Sequence, residues 1–473
     1  MNGKKWTTLL IMSLSSLMAT INSSSLNSAL PYLAKILHLS LNESQMILVV
    51  YLIVLTSILT ICGKIADIFG HKKIFLIGTL IFGVSSLIVL PSERISLLIS
   101  MRIIQAIGAS FMVASGPAIL LSVFEPEKRG FAIGMHTTGI SLGLIIGPPI
   151  GGLILQYLSW QWLFLINLPF SIIIFVAIMW IVDYQQNYQL KEEQNHYDIY
   201  GMLLWSLSIP LILISMSMLS HSNSTTISLF MLLIGIILIL ILIKHEIKVD
   251  KSFFPINLIK IPAYYGGLFS LLIGYTALSI SNFLIPFYLK LVLNLEPQQT
   301  GFIMSITSIA MFLTTGVSGY ISDKIGYYKL CITGMILLTI GMLLLALTRI
   351  ESALIQISIA QIIIGSGLGI FNSPNTTALL NISGMNNTGI TTGLLATMRN
   401  LGMSLGTVIG GISVSFFSTT LFGNKVEKIN EIPPEIFNSL FKYSLIIAFL
   451  LSTVSIYLST IRKGSGDLSI SQK

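Results

Sequence analysis

The sequence predicts an all-α membrane protein: fourteen transmembrane helices, built as two homologous six-helix bundles plus a two-helix insert. Three observations carry this. Of 473 residues, 54% are hydrophobic and only 9% are charged, with a mean hydropathy of +0.88. A soluble domain is about one quarter charged, so a soluble globular chain is excluded, and a disordered chain cannot be this apolar. The apolar residues gather in fourteen runs, each long enough for a bilayer core that takes about 20 helical residues to cross. The second half of the chain then repeats the first. Fourteen spans leave short loops and no room for a soluble catalytic domain.

The first run follows Lys4 and Lys5 and covers about 7–29; it is too long for a signal-peptide core and reads as an uncleaved first span. Spans two to six cover about 45–65, 74–91, 95–118, 131–156 and 163–182. Spans seven and eight cover about 199–219 and 226–243. Spans nine to fourteen cover about 264–289, 299–321, 330–348, 353–376, 389–417 and 438–461. An even number of spans puts both termini on one side. With that side cytoplasmic, 17 of the 26 Lys and Arg residues fall in inner segments and 7 in outer ones, the bias expected of cytoplasmic loops. The net charge of +8 is thereby a sidedness signal, and no nucleic-acid partner is expected. Arg462 is counted here as an inner-loop charge, and Glu192, Glu193 and Glu246 as solvated loop charges. The longest inner loops are about 183–198 and 244–263, and the longest outer one about 418–437.

The repeat is direct. Gly63-Lys-Ile-Ala-Asp67-Ile-Phe-Gly70-His-Lys72-Lys73 returns as Gly319-Tyr-Ile-Ser-Asp323-Lys-Ile-Gly326-Tyr-Tyr-Lys329. Asn27, Pro31 and Lys35 match Asn282, Pro286 and Lys290. Met135 to Gly147 faces Met398 to Gly410 with seven of thirteen positions identical, which makes His136 the repeat mate of Arg399. Three segments follow: an N-terminal six-helix bundle at 1–183, inserted helices 7 and 8 with flanking inner loops at 184–262, and a C-terminal six-helix bundle at 263–473. Repeated bundles of this kind form transporters whose site lies at the repeat interface near the midplane.

Within the loop after span two, Gly63 lets another helix approach, Gly70 permits a turn with positive φ, and Asp67 caps a helix or pairs with a cation, for which Arg129 is the candidate. Span five carries Gly139, Gly143, Gly147, Pro148, Pro149, Gly151 and Gly152. Glycines at spacing four make a smooth face for close packing, and prolines bend a helix. Such a face is either static packing or a hinge and sealing surface between the halves. Cys62 and Cys331 stand in no CxxC or Cys/His spacing, so no metal site, disulfide or other cofactor is expected. No P-loop, dinucleotide fingerprint or Ser/His/Asp grouping occurs, so no enzyme activity is expected.

These segments together resemble the major facilitator superfamily, and more narrowly its fourteen-span drug:proton antiporter family. The 63–73 loop resembles the superfamily's cytoplasmic gating motif, and Arg102-Ile-Ile-Gln105-Ala-Ile-Gly108-Ala its span-four motif. Gly139 to Gly152 resembles the antiporter motif, and Ser159 to Pro169 with Asp198-Ile-Tyr-Gly201 resembles marks of the fourteen-span branch. The resemblance covers essentially the whole chain. It implies multidrug efflux and drug resistance: a small amphiphilic substrate, a proton gradient as driving force, no bound cofactor, a monomer in the lipid bilayer of the plasma membrane, and cytoplasmic termini.

One departure stands out. The family's span-one pattern, Leu-Asp-x-Thr-x-x-Asn-x-Ala-Leu-Pro, reads here Ile21-Asn22-Ser-Ser-Ser-Leu26-Asn27-Ser-Ala29-Leu30-Pro31, so an amide replaces the acid. All 18 acids lie in loops or at span ends. Asn22 and Arg102 fall at similar depth, and an arginine there needs a partner. The candidate substrate and coupling residues are therefore Asn22, Arg102, Gln105, His136, Asn372, Asn375 and Arg399. His136 is the titratable candidate, its alternative being a packing or substrate-binding residue. A midplane cavity holding two arginines and no carboxylate should prefer anionic, zwitterionic or neutral amphiphiles. The alternatives are a proton-independent facilitator or importer of an anionic or neutral solute, and a membrane sensor or scaffold without transport.

Overall fold

The computed structural model describes residues 2–90, 94–125, 128–181, 198–218, 225–249, 256–384, 388–423 and 432–462. Fourteen helices in it are long and apolar enough to cross a membrane. They are built on α1 (Asn2–Ile36), α2 (Leu41–Phe69), α3 (His71–Ser85, continued by a 3-10 turn to Val89), α4 (Ile95–Val123), α5 (Arg129–Tyr157), α6 (Asn167–Ile181, preceded by a short helical turn from Trp162), α7 (Ile199–Met218), α8 (Thr225–Lys248), α9 (Pro262–Leu291), α10 (Pro297–Ile325), α11 (Tyr327–Ala346), α12 (Ala353–Ser383), α13 (Thr388–Phe422) and α14 (Pro434–Thr460). Several run well beyond the apolar stretch that announces them. A hydropathy run marks only the length inside hydrocarbon, while backbone bonding carries the helix on into the polar layer. The segment 183–197 and residues 424–431 within the segment 418–437 lie outside the described residues.

The repeat extends to the helix ends. α2 begins with a capping box in which Ser40 accepts from the Glu43 amide and Glu43 accepts from the Ser40 amide. α10 begins with the same device made by Glu296 and Gln299, with Pro297 in its first turn. Both helices then stop at a corner glycine with positive φ: Gly70 at 94° and Gly326 at 82°. Only glycine adopts this conformation without strain, which is why the Gly/Asp frame recurs in both halves.

Packing follows the repeat as well. α1 lies on α5, α2 and α3 on α4, and α3 on α6; correspondingly α9 lies on α13, α10 and α11 on α12, and α11 on α14. The halves meet along two pseudo-equivalent seams, α5 against α10 and α2 against α13. The insert α7–α8 pairs with itself and leans on α2 and α13. Asp198 accepts from the Gly201 amide at 2.8 Å and lies 2.6 Å from His245, joining the start of α7 to the end of α8. Glu246 is buried within this junction, at 3% exposure, and is not the solvated loop charge its neighbours in sequence imply.

The two ends of the seams differ. Away from the termini one apolar core runs through both halves, from Leu30, Leu33 and Ile47 to Phe283, Leu284 and Phe287. Toward the termini the N-terminal half keeps a separate core of Met12, Phe75, Phe82 and Leu120. Glycines report the same asymmetry. Far from the termini, a Cβ on Gly152 would strike the Pro297 carbonyl, one on Gly301 the Pro148 carbonyl and one on Gly411 the Gln45 amide. At the terminal end, Gly63, Gly134, Gly316 and Gly393 on the same four seam helices would meet nothing within 4 Å. The molecule is closed at one end and splayed at the end that carries its termini.

Candidate functional site

Seven residues into α4, about 10 Å from its start at 1.5 Å per residue, Arg102 is buried at 1% exposure. Its Nη1 donates to Asn22 Oδ1 and to Gln105 Oε1, each at 2.8 Å, and its Nε to the Ile47 carbonyl at 3.2 Å. The guanidinium lies 4.2 Å from the centre of the Tyr51 ring. α1, α2 and α4 thereby converge on one cation. Two amides and a carbonyl disperse its charge without a carboxylate, and the aromatic face adds electrostatic attraction. Arg102 therefore does not line the central space in this conformation, contrary to the sequence expectation of a cavity with two arginines. Arg399, on α13, is half-buried and has no hydrogen-bond or ion-pair partner among the described residues.

His136 is 8% exposed, and its Nε2 lies 3.1 Å from Ser16 Oγ of α1. No bond joins it to its repeat mate Arg399 among the described residues. In the C-terminal half, Asn372 donates to the Tyr275 hydroxyl at 3.0 Å, coupling α12 to α9. Asn375 is fully buried, with neither amide atom in a hydrogen bond. Among the described acids, Glu43, Asp67, Glu125, Asp198, Glu246, Glu296, Asp323, Glu351 and Glu435, every one lies in a loop or within a turn of a helix end. The middle of the bundle holds none of them.

The gating-loop residues divide. Asp67 lies 3.2 Å from His71, not against Arg129. Arg129 turns back to the Leu121 and Phe124 carbonyls at the end of α4, at 3.1 and 3.4 Å. Those carbonyls close a helix end and have no further backbone donor, so they hold the guanidinium locally. Lys72 reaches the Met179 carbonyl at 3.5 Å, while Lys73 is exposed. Gly63 makes no close helix contact, because the terminal end is splayed, whereas a Cβ on its mate Gly319 would lie 2.8 Å from the Ser373 hydroxyl. Asp323 lies in α10, and its side chain is outside the described residues.

The glycine helix mostly packs inside its own half. A Cβ on Gly139 would lie 2.5 Å from the Ser13 carbonyl, one on Gly143 2.7 Å from Thr20 Cβ, and one on Gly151 2.5 Å from the Ser25 carbonyl. Gly147 sits against Ser24, whose hydroxyl donates to the Gly143 carbonyl at 3.0 Å. The α1 face is correspondingly rich in serine, because small residues let two backbones approach. Among its glycines, Gly152 at the end of α5 far from the termini reaches the other half, and Pro148 receives Gly301 there.

Two cross-half contacts had no signal in the sequence. The Tyr32 hydroxyl donates to the Leu295 carbonyl at 2.9 Å and lies 2.7 Å from Thr300 Oγ1. Gln45 donates across the other seam to the Thr407 carbonyl at 2.9 Å. Nor did the sequence mark Arg462 as buried. It is 0% exposed and lies 6.0 Å from the Tyr327 ring, with its charge felt by the buried Cys331. A charge just past a span end reads as a loop charge, and nothing local distinguishes it.

A family model described as Major Facilitator Superfamily matches residues 12–407 and 267–467. The riboflavin transporter RibZ of Clostridioides difficile (strain 630) is 31% identical over 423 residues, covering 89% of this chain and 90% of that protein. The putative multidrug resistance protein MdtD of Enterobacter sp. (strain 638) is 26% identical, covering 89% and 88%. Among solved structures, a bacterial homologue of the human lysosomal transporter Spinster superposes with a TM-score of 0.66 over 97% of both chains, at 13% identity.

Proposed function

The chain belongs to the Major Facilitator Superfamily, and we propose that it exports small amphiphilic compounds from the cell by alternating access. The observation that carries this is the seam asymmetry. Two homologous halves touch tightly at one end and stand apart at the other, on the same four helices. Rocking one half against the other exchanges those two ends while leaving each bundle intact. With the termini cytoplasmic in a plasma membrane, the conformation described is open to the inside. The protein works as a monomer without a bound cofactor, since each half completes the other within one chain.

The substrate is neutral or anionic rather than a lipophilic cation. Among the described residues no carboxylate lies mid-membrane, and Arg399 is the half-buried cation there. A flavin, which joins a planar apolar body to hydrogen-bonding groups, fits this chemistry, and a relative named as a riboflavin transporter supports the class. The relatives named as multidrug resistance proteins support export of a broader set of planar amphiphiles.

A proton gradient drives the export. His136, a turn or two inside α5 and bonded to Ser16 of α1, is the titratable group between the two helices. Imidazole titrates near neutral pH, and its partner helix belongs to the same half, so protonation acts on the α1–α5 contact. Asn22 favours a second reading, a proton-independent facilitator or importer of an anionic or neutral solute, because Arg102 is satisfied by amides and has no acid to release. One experiment separates them. Purified protein goes into liposomes holding a pH-sensitive dye, with no imposed pH gradient, and anionic, neutral and cationic amphiphiles are added in turn. Substrate-triggered proton movement that is lost in His136→Gln supports the antiporter. Substrate flux without proton movement supports the facilitator.

A further inference from the structure

Asn27 and Asn282 are repeat mates, and neither the arginine network nor the seams use them. In α1 every residue from Ser24 to Ala34 is buried except Asn27. In α9 every residue from Gly274 to Leu289 is buried except Asn282. Neither carboxamide has a hydrogen-bond partner among the described residues. α1 is packed by α2, α4, α5, α6, α9 and α10, and α9 by α1, α10, α12, α13 and α14. Helices enclosed on all sides by others are not reached by lipid. The accessible spot on each is therefore an opening onto the space between the halves.

The surroundings extend this opening in one direction. Asn27, Ser23, Thr20, Ser16 and Ser13 follow at alternating spacings of four and three, so they share one face of α1, and all five are half-buried. That face leads from the closed end toward the splayed end. On α9 the residues one and two turns before Asn282, Leu278 and Tyr275, are themselves buried, and the Tyr275 hydroxyl accepts from Asn372. The two asparagines thus mark the accessible points on otherwise buried stretches of α1 and α9, and a polar face of α1 leads away from Asn27.

We propose that Asn27 and Asn282 are a pseudo-symmetric recognition pair for a planar heterocycle with an imide or lactam edge. A carboxamide presents one donor and one acceptor side by side, the complement of a carbonyl next to a ring N–H. Two of them, one from each half, grip both halves onto a single ligand and make its binding sensitive to the distance between the halves. This deepens the transport reading above and rests on it.

The test uses full-length protein in detergent with riboflavin, which carries an imide and reports by its own fluorescence, and with its N3-methyl derivative. The wild type should bind riboflavin about tenfold more tightly than the methylated compound. Asn27→Leu and Asn282→Leu should each lose about tenfold for riboflavin and no longer distinguish the two. Variants that bind riboflavin as the wild type does overturn the pair while leaving flavin transport standing. A second measurement is independent of the ligand. Asn27→Cys and Asn282→Cys, in a chain with Cys62→Ser and Cys331→Ser, are treated with a small charged thiosulfonate. Both introduced thiols should react, and failure of both overturns the site. If the wild type ignores riboflavin, the flavin reading falls, and uracil against N-methylated uracil as protectors of those thiols decides the pair. Protection by uracil alone supports it; equal protection or none overturns it.

Discussion

Each half buries one arginine completely, and the two are held in different ways. Arg102 lies within the span of α4 and gathers α1, α2 and α4 through two amides, a carbonyl and a ring. Arg462 lies just past the end of α14, on the side of the termini, against Cys331 of α11 and the Tyr327 ring. At a deep position every neighbouring dipole must be aimed at the charge, because water is far away. Close to the membrane surface a guanidinium can pin helix ends together. The halves share helices, caps and corner glycines, yet they stabilise charge at opposite ends. Duplication conserves the scaffold more strictly than the polar network inside it.

Breaking this contrast should give the largest effect. Arg102→Met strips Asn22 Oδ1 and Gln105 Oε1 of their donor, and a broken buried charge network of this kind costs about 3–5 kcal/mol. Thermal unfolding in detergent should fall sharply, and further than for Arg462→Met, whose site is nearer to water. Equal losses in the two variants would remove the contrast. Arg462→Ala should also open Cys331, now 0% exposed, to a small maleimide. Asn22→Asp sharpens the comparison from the other side. It sets a carboxylate against Arg102, so stability should change little, while transport should acquire a pH dependence that the wild type lacks at this position. Identical pH profiles of wild type and variant would make the Arg102 pocket structural alone.

The two seams come next. In one, Gly301 rests on the Pro148 carbonyl; in the pseudo-equivalent one, Gly411 rests on the Gln45 side chain. A carbonyl of the main chain cannot swing away, whereas a glutamine can. Gly301→Ala should therefore destabilise the closed end by about 1–3 kcal/mol, and Gly411→Ala by less. Spin labels on α5 and α10 read the difference as a shorter-lived closed population. Tyr32→Phe removes the hydroxyl that bonds Leu295 and Thr300 across the halves. Its loss is worth about 1 kcal/mol, or about a fivefold shift of the same equilibrium.

How far the sequence reaches depends on how local the cause is. The fourteen spans, the corner glycines Gly70 and Gly326, and the amide partner of Arg102 were legible. Each follows from hydropathy, from a repeated residue, or from the cost of a charge at a known depth. The Asp67–Arg129 pairing was not, because helix-end carbonyls a few residues away compete for the guanidinium. Gly63 was expected in a tight contact, which requires knowing which end of the molecule is closed. Arg462 looked like a sidedness charge, and Tyr32 and Gln45 like ordinary span residues. Their roles come from the meeting of two halves about 260 or more positions apart, and no window along the chain contains both partners.

The smallest expected effect lies at the exposed end of the N-terminal half, where a charge pair contrasts with both buried arginines. Lys5 of α1 donates to Glu125, after α4, at 2.8 Å. The hydrogen bond from Lys5, its charge and that of Lys128 together hold the Glu125 carboxyl below its ordinary value. A depressed carboxyl contributes stability above its unfolded value and loses it as pH falls through the folded one. The contribution is therefore present at neutral pH and disappears only below the usual carboxylate range of about 4. Glu125 is fully exposed, so salt and water screen the pair. Lys5→Gln should lower the melting temperature slightly at pH 7 in low salt. The difference should vanish in about 1 M salt, where the Debye length is about 3 Å. It should vanish again at a pH low enough to protonate Glu125 in the wild type. A difference that persists through both treatments would mean that Lys5 acts through the packing of its stem against Trp6 and Phe124, and not through its charge.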